Sequence, residues 1–449
     1  ERTLRKGLKL MSARLISAMA LVLAVCVPSS AGQNTHQQAG QSTEGSQALG
    51  KGAAVCRLTS LPVPRTNNAV ASLTKGGETY HLSTLGLGPA KDHTDTHKDA
   101  YLLRVGNKAW SKLADVPVAN GRLAGTAVAV GGKFWILGGY SVAADGSEVS
   151  QAEVYSLEPV SKRYERRADM PIPVDDAVAL VYADRYIYLV SGWHDVGNVS
   201  FIQMYDTETD TWTRASLFSG WPVFGHTGAI VDNLFVVIDG VGVTGMEGGK
   251  RKFGMRPQAW YGVIDPDAPE NIAWKTLPQH PGGPLYRVAA AGFDGLSMLL
   301  FTGGSETAYN FDGTGYTGTP AQPTDKVFGW NLLQDRWEML EDKAVASMDH
   351  RGLVRVGDVF FTLGGMGAGQ KVLADAHVAY SGGLCETEPQ KQSAPQAHAR
   401  DPKSEPEQEP DIDAEPALTP EKIPAPAPAQ ARGKETEKEP DTDPETDLE

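Results

Sequence analysis

The 449-residue chain carries 41 Lys and Arg against 55 Asp and Glu, a formal charge of −14, with 49 Gly, 29 Pro and 3 Cys. That acidic balance argues against nucleic acid as a partner, because a phosphate backbone selects basic surfaces. The one strongly apolar run is too short and wrongly flanked to span a bilayer, so no transmembrane segment is expected.

That run opens the chain. Arg14 precedes an apolar stretch from Leu15 to Val27, and Ser29-Ser30-Ala31 supply the small residues of a cleavage site. Residues 1–31 read as an export signal whose true start is Met11 and whose cut falls near Ala31. The mature protein is then expected in the periplasm or outside the cell. Lipoprotein export through Cys26 is the alternative, but Val25 stands where such signals want a small residue. Residues 32–53, rich in Gln, Gly, Ser and Thr, read as a flexible leader.

Residues 54–385 repeat every ~50–60 residues, a period that marks a propeller or an array. An apolar run reaches a glycine pair, a variable loop follows, then a short strand, a turn and an aromatic residue. The clearest copies are Phe134 to Gly139 with Tyr155 and Tyr164, and Leu299 to Gly304 with Trp330 and Trp337. Phe360 to Gly365 is a third. Copies ending at Gly192 and Gly240 keep a single glycine, with Tyr205 and Trp212, and Tyr261 and Trp274. The first copy is weak, Tyr80 to Gly86 and then Trp110. Each unit reads as four short strands, for example Thr126 to Val130, Phe134 to Leu137, Glu153 to Leu157 and Arg163 to Arg166. No long stretch has a 3.6-residue period, so helix should be scarce.

The glycine pair followed by a spaced Tyr and Trp resembles the kelch repeat, and six copies imply a six-bladed all-β propeller. The sixth copy lacks its outermost strand. Cys56 to Pro62 looks like the end of a repeat, comparable to Trp274 to Pro278. The chain start should therefore complete the last blade, with Val55 to Leu58 pairing against His377 to Tyr380. Cys56 and Cys385, the two cysteines left after export, fall in that same blade. They read as a disulfide clasp, with two free buried thiols as the alternative.

Residues 386–449 hold 18 acidic and 7 basic residues and 12 Pro, with almost no aromatic or β-branched residue. Such a segment cannot bury enough apolar surface to offset its ordering entropy and reads as a disordered acidic tail, or as a spacer.

Candidate chemistry lies in the linkers between repeats. They carry Arg65, Arg122, Asp175 with Asp176, His226, Arg287, and Asp349-His350-Arg351, each at or just before an innermost strand. Six blades supplying Arg, Asp and His to one rim suggest a polar pocket. The cationic excess suggests an anionic or polyhydroxylated ligand, since Arg grips carboxylates with a bidentate fork. The alternative is that these residues fix the linkers by hydrogen bonds. The loops after the glycine pairs add Trp193-His194-Asp195, a basic flap of Lys250, Arg251, Lys252 and Arg256, and Tyr309, Asn310, Asp312 and Tyr316. His194 and Arg256 should overhang the rim. On this reading Arg287→Ala weakens ligand binding and costs little stability.

Two patterns have metal-ligand character, His93-Thr94-Asp95-Thr96-His97 and Asn310-Phe311-Asp312-Gly313. Neither is complete enough to predict a metal, and no cofactor is expected. Galactose oxidase shares the kelch ring, but its copper chemistry needs two His, two Tyr and a Cys crosslinked to one Tyr, and neither Cys56 nor Cys385 falls near the channel face.

The export signal, six-blade ring and closure at the termini are similar to the bacterial exported kelch proteins of the N-acetylneuraminate epimerase (mutarotase) type. That resemblance implies an exported, monomeric carbohydrate-binding propeller with sugar epimerase or mutarotase activity, a chemistry that needs only an acid and a base. His226 or His350 would be the base, with Arg287 and Arg351 holding a carboxylate. Arg65, Arg122, Asp176, His194, Arg256 and Asp349 would complete the ligand rim. The alternative is a scaffold that grips a protein or cell-envelope partner without catalysis.

Overall fold

A computed structural model describes residues 55–385. The expected export signal, leader and acidic tail lie outside the described residues.

Six antiparallel sheets follow one another in chain order. Blade one comprises Ala69–Lys75, Glu78–Thr84, Ala100–Arg104 and Ser111–Lys112; blade two, Thr126–Val130, Lys133–Leu137, Val154–Glu158 and Arg163–Arg167. Blade three comprises Val178–Tyr182, Tyr186–Val190, Phe201–Asp206 and Thr211–Leu217; blade four, Thr227–Val231, Leu234–Ile238, Ala259–Asp265 and Ala268–Thr276. Blade five comprises Ala289–Phe293, Met298–Thr302, Val327–Asn331 and Arg336–Met339; blade six, Val354–Val356, Val359–Leu363 and Ala376–Tyr380. The first strands pack on one another around the axis, and Ala69–Lys75 meets Val354–Val356 to close the circle. The result is a six-bladed β-propeller. Helix among the described residues is limited to three single 3-10 turns.

The second strand of a blade is covered by neighbours on both faces. It therefore reads as an unbroken apolar run, as in Leu234–Ile238 and Val359–Leu363, every residue of which is buried. The outer aromatic then bonds blades two, three and five to the one before. Tyr164 donates to Ala114 O, Trp212 to Ala168 O and Trp337 to Pro278 O.

The same bonds show how the ends meet. Trp110 of blade one donates to Thr59 O at 2.9 Å, so the segment before Leu61 occupies the place of a preceding outer strand. Leu61 N donates to Ala374 O, the counterpart of Leu113 N to Ala100 O and Leu340 N to Val327 O. Ser60 Oγ adds a bond to Asp375. A disulfide joins Cys56 to Cys385, with Cα atoms 5.4 Å apart. The expected strand over Val55 to Leu58 does not form. No ladder joins it to His377–Tyr380, and the last sheet has three strands. The disulfide and the bonds at Ser60 and Leu61 hold the segment at its ends instead.

The glycine pairs divide into two kinds of position. The second glycine (Gly86, Gly139, Gly192, Gly240, Gly304, Gly365) has φ between 86 and 105° in every blade. A Cβ there would lie 2.6 Å from Thr66 O at Gly86 and 2.6 Å from Leu123 O at Gly139, so only glycine fits. The first position is also left-handed but has room for Leu85, Ser191 and Asp239. This is why the degenerate copies lose only the first glycine.

Reducing the Cys56–Cys385 bond should lower the melting temperature, because it releases a loop closed over a separation of 329 residues. On the chain-entropy account the loss is at most ~5 kcal/mol. Differential scanning calorimetry with and without reductant measures it. An unchanged melting temperature, or two titratable thiols in the unfolded unreduced chain, would contradict the clasp.

Candidate functional site

Each linker into a new blade contains one residue with left-handed backbone: Asn67, Ala124, Asp176, Gly225, Arg287 and Asp349, with φ from 48 to 66°. These six are equivalent positions. The residue before each pairs with the residue after the second glycine, as in Leu123 with Tyr140, Asp175 with Trp193 and Tyr286 with Ser305. Linkers and post-glycine hairpins are thus held together at one mouth of the ring.

The left-handed residues are also bonded to each other around the axis. Asn67 N donates to Asp349 O, Asp176 N to Ala124 O, Gly225 N to Asp176 O, Arg287 N to Gly225 O and His350 N to Arg287 O. Between blades one and two the Asn67 side chain stands in, accepting from Ala124 N at 2.5 Å. The circle is complete, with one bond per blade boundary.

Four linker side chains meet at this circle. Asp176 accepts from Arg287 Nε at 3.2 Å and Nη2 at 2.6 Å, and from Arg351 Nη1. Arg287 Nη1 reaches Asp349 Oδ1 at 2.9 Å. Asp349 also accepts from Thr66 Oγ1 and Asn67 Nδ2. All are buried, and the Arg287 guanidinium lies between the rings of Tyr286 and Tyr309, 4.9 and 5.5 Å from their centroids. Burial pushes the Asp176 carboxyl up, but Arg287 and Arg351 outweigh it and hold the group below its usual range.

Above the cluster is a cup of about 170 Å³. Its aromatic wall comprises Tyr140, Trp193, Phe224, Phe253, Tyr309 and Tyr316, and its polar groups include Glu148, Asp175, Asp176 and Arg287. The wall is braced by edge contacts: Trp193 with Phe224 and with Phe253, both at 5.5 Å, and Tyr286 with Tyr309 at 4.9 Å. Asp175 is buried and accepts from Ser150 Oγ at 2.6 Å. Burial, then the charge of Asp176, pushes its carboxyl well above the usual range. Glu148, on the hairpin Tyr140–Val142/Glu148–Ser150, stands at the rim. The protein packed around its carboxyl raises it, Arg287 pulls against that, and Asp176 adds to the rise. Two carboxyls raised by their surroundings thus face one small space.

On the other side of the cluster, a channel of about 530 Å³ runs between the first strands, lined by small residues such as Ala127, Ala179, Gly228 and Ala291. Asp176 and Arg287 line the cup, while Ala177 and Val288 line the channel.

The structure brings together only part of the rim expected from sequence. Asp176, Arg287, Asp349 and Arg351 converge. Arg65 and Arg122, two positions earlier in their linkers, turn away to bond Asp99 at 2.8 Å and Glu153 at 2.5 Å. His226 and His350 are one position later, and neither lines the cup. His226 Nε2 bonds Val190 O, and burial draws the ring down to about 4. His350 Nε2 bonds Ser347 Oγ, itself bonded by Lys343, and burial draws this ring down as well. His194 Nδ1 bonds Pro173 O, and Arg256 donates to Val243 O beneath the Trp221 ring. The basic flap is a regular hairpin, Val241–Glu247 with Lys250–Met255, whose turn residues Gly248 and Gly249 have φ of 55 and 79°. Its glycines make the turn rather than a hinge. The cationic excess is neutralised, because Arg287 and Arg351 are bound by Asp176 and Asp349. Asp95 bonds His97 and Ala90 N, and Asp312 bonds Thr314, so both supposed ligand patterns are closed local turns. No helix among the described residues is long and apolar enough to cross a membrane.

Of the aromatic wall, Trp193, Tyr309 and Tyr316 are among the loop residues singled out from sequence, while Tyr140, Phe224, Phe253 and Glu148 are not. Tyr140 and Trp193 each follow the second glycine of their blade, and Asp175 and Phe224 each precede a left-handed residue. The repeat therefore marks these positions once its phase is known. Glu148 lies in a variable hairpin and has no such marker.

No protein-family model matches the chain, and no curated protein matches it. Among the solved structures similar to it is one titled "Structure of YjhT", at 16% identity and a TM-score of 0.55. The alignment covers 72% of this chain and 96% of that one. At this identity the likeness shows the propeller fold.

Arg287→Ala should cost stability, contrary to the expectation from sequence. It leaves Asp176 and Asp349 buried without their shared cation, a loss of about 3–5 kcal/mol. Urea denaturation checks this, and a loss under 1 kcal/mol would mean the cluster is solvated.

Lys343 is buried beside Ser347 and His350, and burial draws its ammonium from 10.5 to about 7. Between these values the unfolded chain binds the proton that the fold excludes, so stability should rise with pH from about 7 towards 9.5. The slope from this one group is at most about 1.4 kcal/mol per pH unit. Lys343→Met should flatten the slope, and equal slopes in the two proteins would show that another group is responsible.

Proposed function

We propose that the cup binds a single sugar ring and that Asp175 and Glu148 act on it as an acid–base pair. The observation that carries this reading is a small cavity with an aromatic wall and two carboxyls raised by their surroundings. Aromatic faces suit the C–H faces of a sugar, and carboxyls suit its hydroxyls. Perturbed carboxyls in a cleft are where acid–base chemistry concentrates. The kelch-like repeat and its resemblance to the exported epimerase (mutarotase) type point the same way.

Mutarotation opens and recloses a hemiacetal. A proton goes to the ring oxygen, and another leaves the anomeric hydroxyl. Asp175, held protonated by burial and by Asp176, is the donor. Glu148 at the rim is the acceptor. When the ring recloses on its other face, the two protons return. The step needs no cofactor, and no net charge leaves the cup.

His226 and His350 do not enter this mechanism, since neither lines the cup: His226 bonds Val190 O of a blade-three strand and His350 bonds Ser347 Oγ. The second reading, a surface that grips a protein partner, has one observation in its favour. Val196 and Met246 are exposed on hairpins near the mouth, and Trp221 is exposed on a neighbouring linker.

The test is NMR exchange between the anomers of galactose, glucose and N-acetylneuraminate. At least one should interconvert faster with the protein than without. Asp175→Asn and Glu148→Gln should each slow the catalysed exchange by about 10²–10⁴-fold. Binding without acceleration would leave a sugar-binding propeller, and no binding of any sugar would favour the surface reading.

A further inference from the structure

The cup's charge says more about its ligand than its shape does. Four carboxyls stand in or beside it: Glu148, Asp175, Asp176 and Asp349. Two guanidiniums, Arg287 and Arg351, are shared between Asp176 and Asp349. Glu148 and Asp175 remain without a cation of their own. Asp175 bonds only the neutral Ser150 hydroxyl among the contacts of its carboxyl. The arginines that would attract an acidic ligand are thus engaged, while Glu148, the proton acceptor of the reading above, faces the cavity without a cation and Asp175 presents a neutral acid.

The wall reinforces this. Aromatic faces present negative potential to whatever lies against them, and cations gain from it when water is excluded. The rings here already hold cations at their edges of the site. Arg287 lies against Tyr286 and Tyr309, and Arg251, outside the cup, lies 5.5 Å from the Trp193 centroid while donating to Val196 O. An ammonium group entering the cup would meet ring faces, the Glu148 carboxylate and the carbonyl oxygen of the neutral Asp175 acid. A carboxylate entering it would meet the same groups as repulsion.

Resting on the sugar reading above, we propose that the cup selects ligands bearing a protonated amine, an amino sugar over its neutral or acidic counterpart. The amine would sit between Glu148 and Asp175 with the ring against the aromatic wall. The anionic sugar suggested by the count of linker arginines is disfavoured by the same arrangement.

The experiment is calorimetric titration of the protein with glucosamine, glucose and glucuronate, plus tetramethylammonium as a cation without a sugar, at one ionic strength and a pH where the amine is protonated. Glucosamine should bind at least about tenfold tighter than glucose, a difference of about 1.4 kcal/mol, and glucuronate should bind weakest. In Glu148→Gln the preference for glucosamine over glucose should fall to within about threefold, the carboxyl being the group that reads the charge. Glucuronate binding as tightly as glucosamine would overturn the proposal, and so would a preference that survives in Glu148→Gln. Binding of tetramethylammonium without any sugar would uphold the cation preference and overturn the sugar reading. If sugars bind irrespective of charge and tetramethylammonium does not, the sugar reading stands and the amine proposal falls.

Discussion

The ring of hydrogen bonds through the left-handed linker residues is the constraint on which the rest of the structure depends. Each blade is a locally closed sheet and could pack beside its neighbours at a range of angles. The bonds from Asn67 through Asp176, Gly225 and Arg287 to Asp349 and His350 fix one angle six times over. They require a positive φ in every linker. Away from glycine that backbone costs roughly 1–2 kcal/mol per residue, and only one of the six positions is glycine. The circle of bonds, the pairing of each preceding residue across its own blade and the buried ion cluster offset that cost together.

Strain and chemistry coincide for a geometric reason. The left-handed linker residues stand around the axis, where the side chains of Asn67, Asp176, Arg287 and Asp349 converge. Placing Asp176, Arg287 and Asp349 there creates a charge problem that the protein resolves internally. Two arginines and two aspartates neutralise each other and separate the channel from the cup. Asp175, one residue earlier, then lies buried beside an ionised neighbour. Its raised carboxyl follows from the linker geometry and needs no further device. The same cluster makes Arg287 a structural residue and a wall of the site at once, so its removal cannot report on binding alone.

The closure at the chain ends obeys a weaker form of the same rule. Blade six lacks an outer strand, and Val55 to Leu58 does not supply one as a regular ladder. The contacts that matter are the amide bond from Leu61, repeated in blades one, three, four and five, and the aromatic bond to Thr59 O, repeated in blades two, three and five. The disulfide fixes the remaining end. A covalent clasp is useful where a fourth strand contributes few hydrogen bonds of its own.

By itself the sequence determined the six repeats, their strands, the scarcity of helix and the return of the chain start to blade six with its disulfide, though not as a paired strand. These rest on local signals: apolar runs covered on both faces, glycines where a Cβ cannot fit, and aromatics spaced to reach a neighbouring carbonyl. It also placed the polar linkers at one mouth. It did not determine which linker residues converge, because a shift of one or two positions rotates a side chain from the axis into the blade boundary. Arg122 and His226 flank the left-handed position and turn away, while Asp176 and Arg287 occupy it and meet. Nor could it show that the arginines are neutralised, since their partners come from blades 111 and 62 residues away in the chain. Tertiary structure alone decided the acidic, aromatic character of the cup, because that depends on which charges remain once the buried pairs have formed.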